Sequence, residues 1–118
     1  MANYNELRVW KLGMIIVNSV HELTQSFPRT GAGELKSQMK RAAISIPSNI
    51  AEGANRSHDA DFRRFLLIAL GSCGELSTQV HIALALQYAD GHICDRLAES
   101  LDYEGKMLRR LIQKLEVQ

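Results

Sequence analysis

The sequence predicts an all-α fold, an antiparallel up-down-up-down four-helix bundle with a proline-kinked second helix. Apolar residues recur every three or four positions through four long segments, as they do along one face of an α-helix. Short breaks that contain Gly, Pro or Asp separate the segments, and no stretch alternates apolar and polar residues for long enough to form a sheet. Short links between long amphipathic helices place neighbouring helices antiparallel. We expect residues 1–118 to form one domain, since this length can bury a core without disulfides or metal.

The first helix is predicted over residues 5–26. Its apolar residues form two adjoining rows, a wide stripe that suits contact with two neighbouring helices. The rows are Leu7, Trp10, Met14, Val17 and Thr24, and Ile16, Val20, Leu23 and Phe27. Proline disfavours the α conformation in the residue before it, so Phe27-Pro28 ends the helix.

The second helix, predicted over residues 34–53, has a proline within its helical pattern. Pro47 removes one backbone donor and crowds the carbonyl of Ala43, which predicts a kink, or a break with a restart. Gly53 suits the position just past a helix end.

The third helix is predicted to begin after Ser57, a suitable N-cap. Gly71 and Gly74 lie in its middle, where each costs about 1 kcal/mol relative to alanine. We expect these glycines to pack against the small residues Ala42 and Ala43 of the second helix. Anion binding is the weaker interpretation, because the glycines lie mid-helix rather than at a helix N-terminus.

The third helix is predicted to run to about Ala89, and the fourth to follow Asp90-Gly91 and reach nearly to the C-terminus. The fourth helix has one apolar row, formed by Ile93, Leu97, Leu101, Leu108, Leu111, Ile112 and Leu115.

Composition limits the classes of protein to which this chain can belong. No apolar run approaches the roughly 18 residues of a membrane span, and the first residues lack the features of a secretory signal. Cys73 and Cys94 are far apart; a buried reduced thiol is expected for Cys73, with a disulfide between the two as the minor alternative. These features favour a cytoplasmic protein. The net charge of +1 neither indicates nor excludes nucleic-acid binding, which depends on local patches.

The densest motif is Ser45-Ile46-Pro47-Ser48-Asn49-Ile50-Ala51-Glu52-Gly53. A proline inside a helix costs about 3 kcal/mol, and hydrogen bonds from Ser48 and Asn49 to nearby backbone are expected to compensate. The structural interpretation, which we favour, is a kinked helix shaped by Pro47, Ser48, Asn49, Glu52, Gly53 and Arg56. The functional interpretation is a site built from Asn49, Glu52 and Arg56.

The sequence shows no spacing of residues that is typical of metal ligands or catalytic groups. No Glu-x-x-His pair occurs and the four histidines are scattered, so no metal and no cofactor are expected. Glu52 and Glu75 are candidates for two carboxylates that face each other. We favour the alternative that they belong to a structural network with Arg56, Arg41 or Gln79, and we expect the chain not to be an enzyme.

Basic residues form local groups, of which Lys36, Lys40, Arg41, Arg110 and Lys114 are the candidates for phosphate contacts. Acidic residues also lie near several basic residues, so ordinary ion-paired solvent faces are equally consistent with the pattern.

Several apolar residues fall outside the main stripes: Val9, Ile15, Leu67, Ile68, Leu70 and Leu86. A monomeric bundle would expose some of them, and large exposed apolar patches usually mark contacts with partners. The residue pattern therefore predicts self-association, commonly with closed symmetry.

The chain resembles the bacterial four-helix bundle family of the 23S rRNA intervening-sequence proteins, to which the accessory variability proteins of diversity-generating retroelements are related. The resemblance extends from Val9-Trp10 through Gln79, and the stretch from Ser45 to Gly53 carries most of it. It implies a cytoplasmic bacterial protein that forms a homopentamer and has no established enzymatic activity.

These observations lead us to expect a non-enzymatic oligomeric binding or accessory protein. RNA or DNA is the leading partner, bound through the basic surface residues named above. The alternative is an oligomeric scaffold that binds a protein partner and no nucleic acid.

Overall fold

The computed structural model of the protein describes residues 3–116, which contain a 3-10 turn and four α-helices and no strand. The turn is Tyr4–Glu6, and the helices are α1, Arg8–Gln25; α2, Gly33–Ala54; α3, Asp59–Ala85; and α4, Gly91–Lys114. α1 and α3 each pack against both α2 and α4, in a bundle that measures 49 × 19 × 19 Å. The predicted four-helix bundle is therefore confirmed.

One buried apolar face from each helix forms a continuous core. Its fully buried large side chains include Ile16, Leu23, Met39, Ile46, Ile50, Leu66, Leu76 and Leu108. Burying one such side chain contributes roughly 1.5–3 kcal/mol, so the core is the main source of stability. In α1 the buried row is the one that contains Ile16, Val20 and Leu23, while Met14 of the other predicted row is 43% exposed.

Contacts between helices define the two ends of the bundle. At the α2–α3 end, where α2 leads into α3 and α4 finishes, a guanidinium nitrogen of Arg63 lies 3.4 Å from a Glu116 carboxylate oxygen. At the α3–α4 end, the Tyr88 hydroxyl donates to the Gly31 carbonyl at 3.4 Å. The ring centroids of Phe27 and Tyr88 lie 5.4 Å apart at this same end.

α2 is continuous through Pro47, which is buried in the core. The alternative of a break with a restart is therefore wrong, because flanking helical hydrogen bonds and burial of Ile46 and Ile50 hold the helix together across the proline. The kink itself stays a prediction.

The predicted ends of α3 are both wrong. His58 rather than Ser57 occupies the N-cap position, and its side chain makes no capping hydrogen bond. The helix finishes at Ala85, four residues before the predicted end, because Gln87 adopts a left-handed conformation with φ of 60°. Asp90 is the N-cap of α4, and its carboxylate accepts from the His92 amide at 2.7 Å.

α3 has the length and composition to cross a membrane, which the residue pattern did not indicate. Its most apolar window has a mean hydropathy of 1.2, and 39% of that window is buried in the bundle. Core helices of bundles meet the same criteria, so one such helix within residues 3–116 is weak evidence for a membrane span.

Candidate functional site

The polar side chains of the Ser45–Gly53 motif join α2 to α3. The hydroxyl oxygens of Ser45 and Ser72 are 2.8 Å apart, in a hydrogen bond between the two helices. The Asn49 amide donates to the Ser45 carbonyl at 2.8 Å and to the Ser45 hydroxyl at 2.9 Å. Asn49 therefore bonds Ser45 and so supports the contact with Ser72. Ser48 is exposed and lines a groove between α1 and α2.

Gly53 allows the end of α2 to approach the start of α3. A Cβ atom built on Gly53 would lie 2.7 Å from the Phe65 Cβ and 3.2 Å from the Phe62 carbonyl oxygen. The first distance is shorter than real Cβ atoms show, and the second is tighter than most such contacts. This glycine is thus a packing requirement inside the helix, since α2 continues to Ala54.

Asn49, Glu52 and Arg56 do not converge on one site. Arg56 forms an ion pair with Glu52 at 2.9 Å on the surface, while Asn49 is occupied by Ser45. Glu75 accepts a hydrogen bond from Gln79 at 3.4 Å, so Glu52 and Glu75 each bond a residue four positions later in the sequence. This agrees with the structural interpretation for both carboxylates. Within residues 3–116 no group of three or more His, Cys, Asp or Glu is placed to hold a metal ion.

Two arginines lie against one aromatic ring at the α2–α3 end. The guanidinium carbons of Arg56 and Arg64 are 5.0 and 4.5 Å from the centroid of the Phe65 ring. Each also has a carboxylate partner close in sequence, Glu52 at 2.9 Å for Arg56 and Asp61 at 3.9 Å for Arg64. Both arginine side chains are also open to solvent, with exposures of 44% and 58%.

The predicted phosphate contacts fall into two groups at opposite ends of the bundle. Lys36, Lys40 and Arg41 lie in the first half of α2, towards the α3–α4 end. Arg110 and Lys114 lie in the last turns of α4, at the α2–α3 end. The length of α3, 27 residues or about 40 Å, separates these ends. The five predicted contact residues therefore do not lie on one binding surface of a single subunit.

Charge is unevenly distributed along the bundle. Gly13, Ile46, Ser72 and Glu104 lie at about the same level near its middle, as contacts among α1, α2, α3 and α4 indicate. The half towards the α2–α3 end is basic: it carries Arg8, Lys11, Arg56, Arg63, Arg64, Lys106, Arg109, Arg110 and Lys114 against Glu6, Glu52, Asp59, Asp61 and Glu116. We call this half the basic half. The other half, the acidic half, carries Arg29, Lys36, Lys40, Arg41 and Arg96 against Glu22, Glu34, Glu75, Asp90, Asp95, Glu99 and Asp102. Lys106 and Asp102, on either side of this division, form an ion pair at 3.1 Å.

Glu104 is a functional candidate that the sequence analysis missed. Its side chain is fully buried, and both carboxyl oxygens lack a hydrogen-bond partner among the described residues. Burial raises the pKa of this carboxyl to about 8. The signal was present in the sequence, because Glu104 interrupts the apolar row Leu97, Leu101, Leu108 and Ile112 at helical spacing.

Both cysteines are buried free thiols. Burial, and next the nearby Glu104, raise the pKa of the Cys73 thiol to about 12. Because the thiolate is the reactive form, Cys73 is unreactive at neutral pH. The expected buried reduced thiol is thus confirmed.

Comparison with known proteins identifies the family. The family model described as 23S rRNA-intervening sequence protein matches residues 5–110, most of the chain. The chain belongs to the 23S rRNA-intervening sequence protein family. No curated protein matches it. A crystal structure of a protein of unknown function from the S23 ribosomal protein family of Bacteroides thetaiotaomicron VPI-5482 is similar, with a TM-score of 0.79 and 20% identity over 89% of this chain and 98% of that chain. At this identity the similarity supports the fold alone.

This member of the intervening-sequence family exposes apolar side chains along α3. Four of the off-stripe residues, Ile15, Leu67, Ile68 and Leu86, are exposed as predicted, whereas Val9 is buried and Leu70 is half-buried. Leu67, Ile68, Ile82 and Leu86 follow α3 on one side, together with Gly71 and Gly74. We call this side the outer face of α3.

The predicted packing of Gly71 and Gly74 against Ala42 and Ala43 is wrong. A Cβ atom built on either glycine would have no neighbour within 4 Å. Ser72 is the small residue that faces α2, as its hydrogen bond to Ser45 shows. Each residue along a helix is rotated by about 100° from the one before it, so Gly71 points in a different direction from Ser72. The two glycines instead leave shallow depressions between the apolar side chains of the outer face.

Proposed function

We propose that this protein is a non-enzymatic, oligomeric accessory protein that binds nucleic acid through its basic half. The uneven distribution of charge carries the proposal. The net charge of +1 is unevenly divided, and the basic half contains nine basic and five acidic residues. Four of the nine basic residues, Arg56, Arg63, Arg64 and Lys106, form surface ion pairs, which leaves five without a carboxylate partner in those pairs. A local positive field of this kind attracts phosphates even when the whole chain is nearly neutral.

The family name agrees with this choice of partner, since it refers to an insert in 23S rRNA. We therefore take structured RNA as the first ligand to test, with duplex DNA beside it. The resemblance also leads us to propose a homopentamer in the bacterial cytoplasm. Two buried free cysteines support a reducing compartment.

Self-association is supported by exposed apolar surface on two sides of the bundle. One is the outer face of α3. The other is a groove of about 250 Å³ between α1 and α2, lined by Trp10, Met14 and Ile44, of which Ile44 is 54% exposed. Different surfaces on opposite sides of a subunit favour head-to-tail contacts, which close into a ring when the rotation permits.

Paired substitutions in the two halves test the proposal. The double variant Arg110→Gln/Lys114→Gln removes two positive charges from the basic half, and Lys36→Gln/Lys40→Gln removes two from the acidic half. We expect the first pair to weaken binding of a fluorescein-labelled RNA hairpin, and to lower the slope of log K against log salt by about 2, one unit for each phosphate contact. The second pair is the control and should leave affinity and slope unchanged.

The outcomes separate the candidates. Absence of binding to RNA and DNA at about 50 mM salt removes the nucleic-acid proposal, because counterion release makes such binding strongest at low salt. Equal losses from both pairs would contradict the assignment to the basic half.

The alternative is a scaffold for a protein partner. It is favoured by a groove of about 510 Å³ between α1 and α4, in which Ile15 and Ile93 are 56% and 44% exposed. On this alternative, a partner recovered with the protein would stay bound after nuclease treatment, and Ile15→Asn would release it. A partner lost on nuclease treatment would support the RNA proposal instead.

A further inference from the structure

Arg56 and Arg64 bring two like charges to one aromatic ring, that of Phe65. Both guanidinium groups lie within about 5 Å of one ring centroid, so they are closer than the Debye length of about 10 Å at 0.1 M salt. Their repulsion is therefore only partly screened. Their carboxylate partners, Glu52 and Asp61, are both solvent-exposed by about half, and such surface pairs contribute little to stability.

The corner that carries these arginines is rigid. Gly53 places α2 directly against Phe62 and Phe65, with no space for a single methyl group. The connection between the helices is only four residues long, from Asn55 to His58. This close contact positions the Phe65 ring, and both guanidinium groups lie over that ring.

The arrangement has the chemistry to bind an anion. Arginine recognises phosphate through two parallel hydrogen bonds, and stacking on an aromatic ring leaves the edge of the guanidinium group free to donate them. A phosphate that contacts both arginines would also offset their mutual repulsion. Restricting their motion beforehand lowers the entropy lost on binding.

We propose that Arg56 and Arg64, held by the ring of Phe65, form a phosphate-binding site for the RNA backbone at the α2–α3 corner. This inference rests on the proposed function and specifies its contact residues. None of these three residues was among the five candidate phosphate contacts. Glu52 competes with the phosphate for Arg56, and Asp61 competes for Arg64.

Two kinds of substitution test the site: those that remove the charge of an arginine, and one that retains both charges but removes the ring that positions them. We expect Arg56→Gln and Arg64→Gln each to weaken binding of the labelled RNA hairpin about fivefold, and to lower the salt slope by about 1. Phe65→Leu retains both charges, so it should weaken binding about twofold to fivefold with the slope unchanged, from loss of the cation–π contact. Arg29→Gln, an exposed arginine in the acidic half, is the matched control and should have no effect.

Removal of the competing carboxylate gives a change of opposite sign. Glu52→Gln should tighten RNA binding about twofold to threefold, because Arg56 then does not have to break its ion pair with Glu52 in order to bind the phosphate. A purely structural role for the Glu52–Arg56 pair predicts no gain. Circular dichroism of each variant verifies that its helix content is retained.

The outcomes distinguish this inference from the function on which it rests. If the unmodified protein does not bind RNA, both the proposed function and the corner site are overturned. Binding that responds to Arg110→Gln/Lys114→Gln but not to Arg56→Gln, Arg64→Gln or Glu52→Gln would overturn the corner site alone.

Discussion

The carboxyl group of Glu104 lies where α1, α2 and α4 meet. A Cβ atom built on Gly13 would lie 3.3 Å from a Glu104 oxygen and 3.4 Å from Ile46 and Pro47 side-chain atoms, so the glycine provides the space that the carboxyl occupies. An ionised carboxylate without partners is far more costly to bury than the neutral acid. Burial therefore raises the pKa of Glu104 to about 8, and the group is mostly protonated at neutral pH.

This raised pKa predicts that stability falls as pH rises. The folded protein retains the Glu104 proton up to about pH 8, whereas the unfolded chain loses it near its ordinary value of 4.5. Between these values the folded state binds more protons, so the free energy of unfolding should decrease by up to about 1.4 kcal/mol per pH unit. Above about pH 8 this loss should stop. Urea unfolding at a series of pH values measures the slope.

Glu104→Gln removes the titrating group and should flatten the slope between about pH 5.5 and 8. The slope is the decisive quantity, because the buried amide has its own cost that does not vary with pH. Glu99→Gln, an exposed position on the same helix, is the control and should retain the original slope. Identical slopes in the original protein and Glu104→Gln would contradict the assignment.

At the scale of one element, the C-terminus of α3 explains a missed boundary. The Tyr88 amide donates to the Ala83 carbonyl at 2.9 Å, and the Gln87 amide donates to the Leu84 carbonyl at 3.0 Å. These two bonds form a Schellman motif, whose left-handed position is most often glycine. Here that position is Gln87, so the residue type gave no stop signal and the apolar spacing alone suggested a longer helix.

Gln87→Gly should stabilise the protein by about 1 kcal/mol. A non-glycine residue costs roughly 1–2 kcal/mol in the left-handed conformation, and the greater freedom of glycine in the unfolded chain offsets part of the gain. The midpoint of urea unfolding should rise without a change in its slope. As a control, Gln38→Gly in the exposed interior of α2 should lose about 1 kcal/mol. A loss at Gln87 as well would contradict the Schellman assignment.

Periodicity predicted the four helices because it is a local property of each segment. What it could not supply is the rotation of each helix about its own axis. Gly71 and Ser72 differ by about 100° in direction, which decides that the serine meets α2 and the glycine meets solvent. The corner of Arg56, Phe65 and Arg64 needed the α2–α3 contact, and the division into basic and acidic halves needed the whole bundle.

At the scale of the whole molecule, the outer face of α3 is an apolar surface that no element of residues 3–116 covers. Leu67, Ile68, Ile82 and Leu86 are each at least 40% exposed, and Gly71 and Gly74 lie between them with open space above. Small residues between large ones permit a second helix to approach closely. Burying four such side chains would contribute several kcal/mol to association, at roughly 25 cal/mol for each Å² of apolar surface.

We expect the purified protein to be an oligomer that depends on this face. Leu67→Lys/Ile68→Lys places two charges on it, and light scattering after size-exclusion chromatography should show subunits of 13.2 kDa in place of the assembly.

Gly71→Ala distinguishes an interface from a bare surface. It should stabilise a lone subunit by about 1 kcal/mol through helix propensity, but weaken an assembly in which a neighbouring helix contacts the glycine. Met14→Lys tests the groove between α1 and α2, where a head-to-tail ring needs the complementary contact. A lone subunit for the unmodified protein would contradict the proposed assembly, and an assembly unchanged by Leu67→Lys/Ile68→Lys would exclude this face from it.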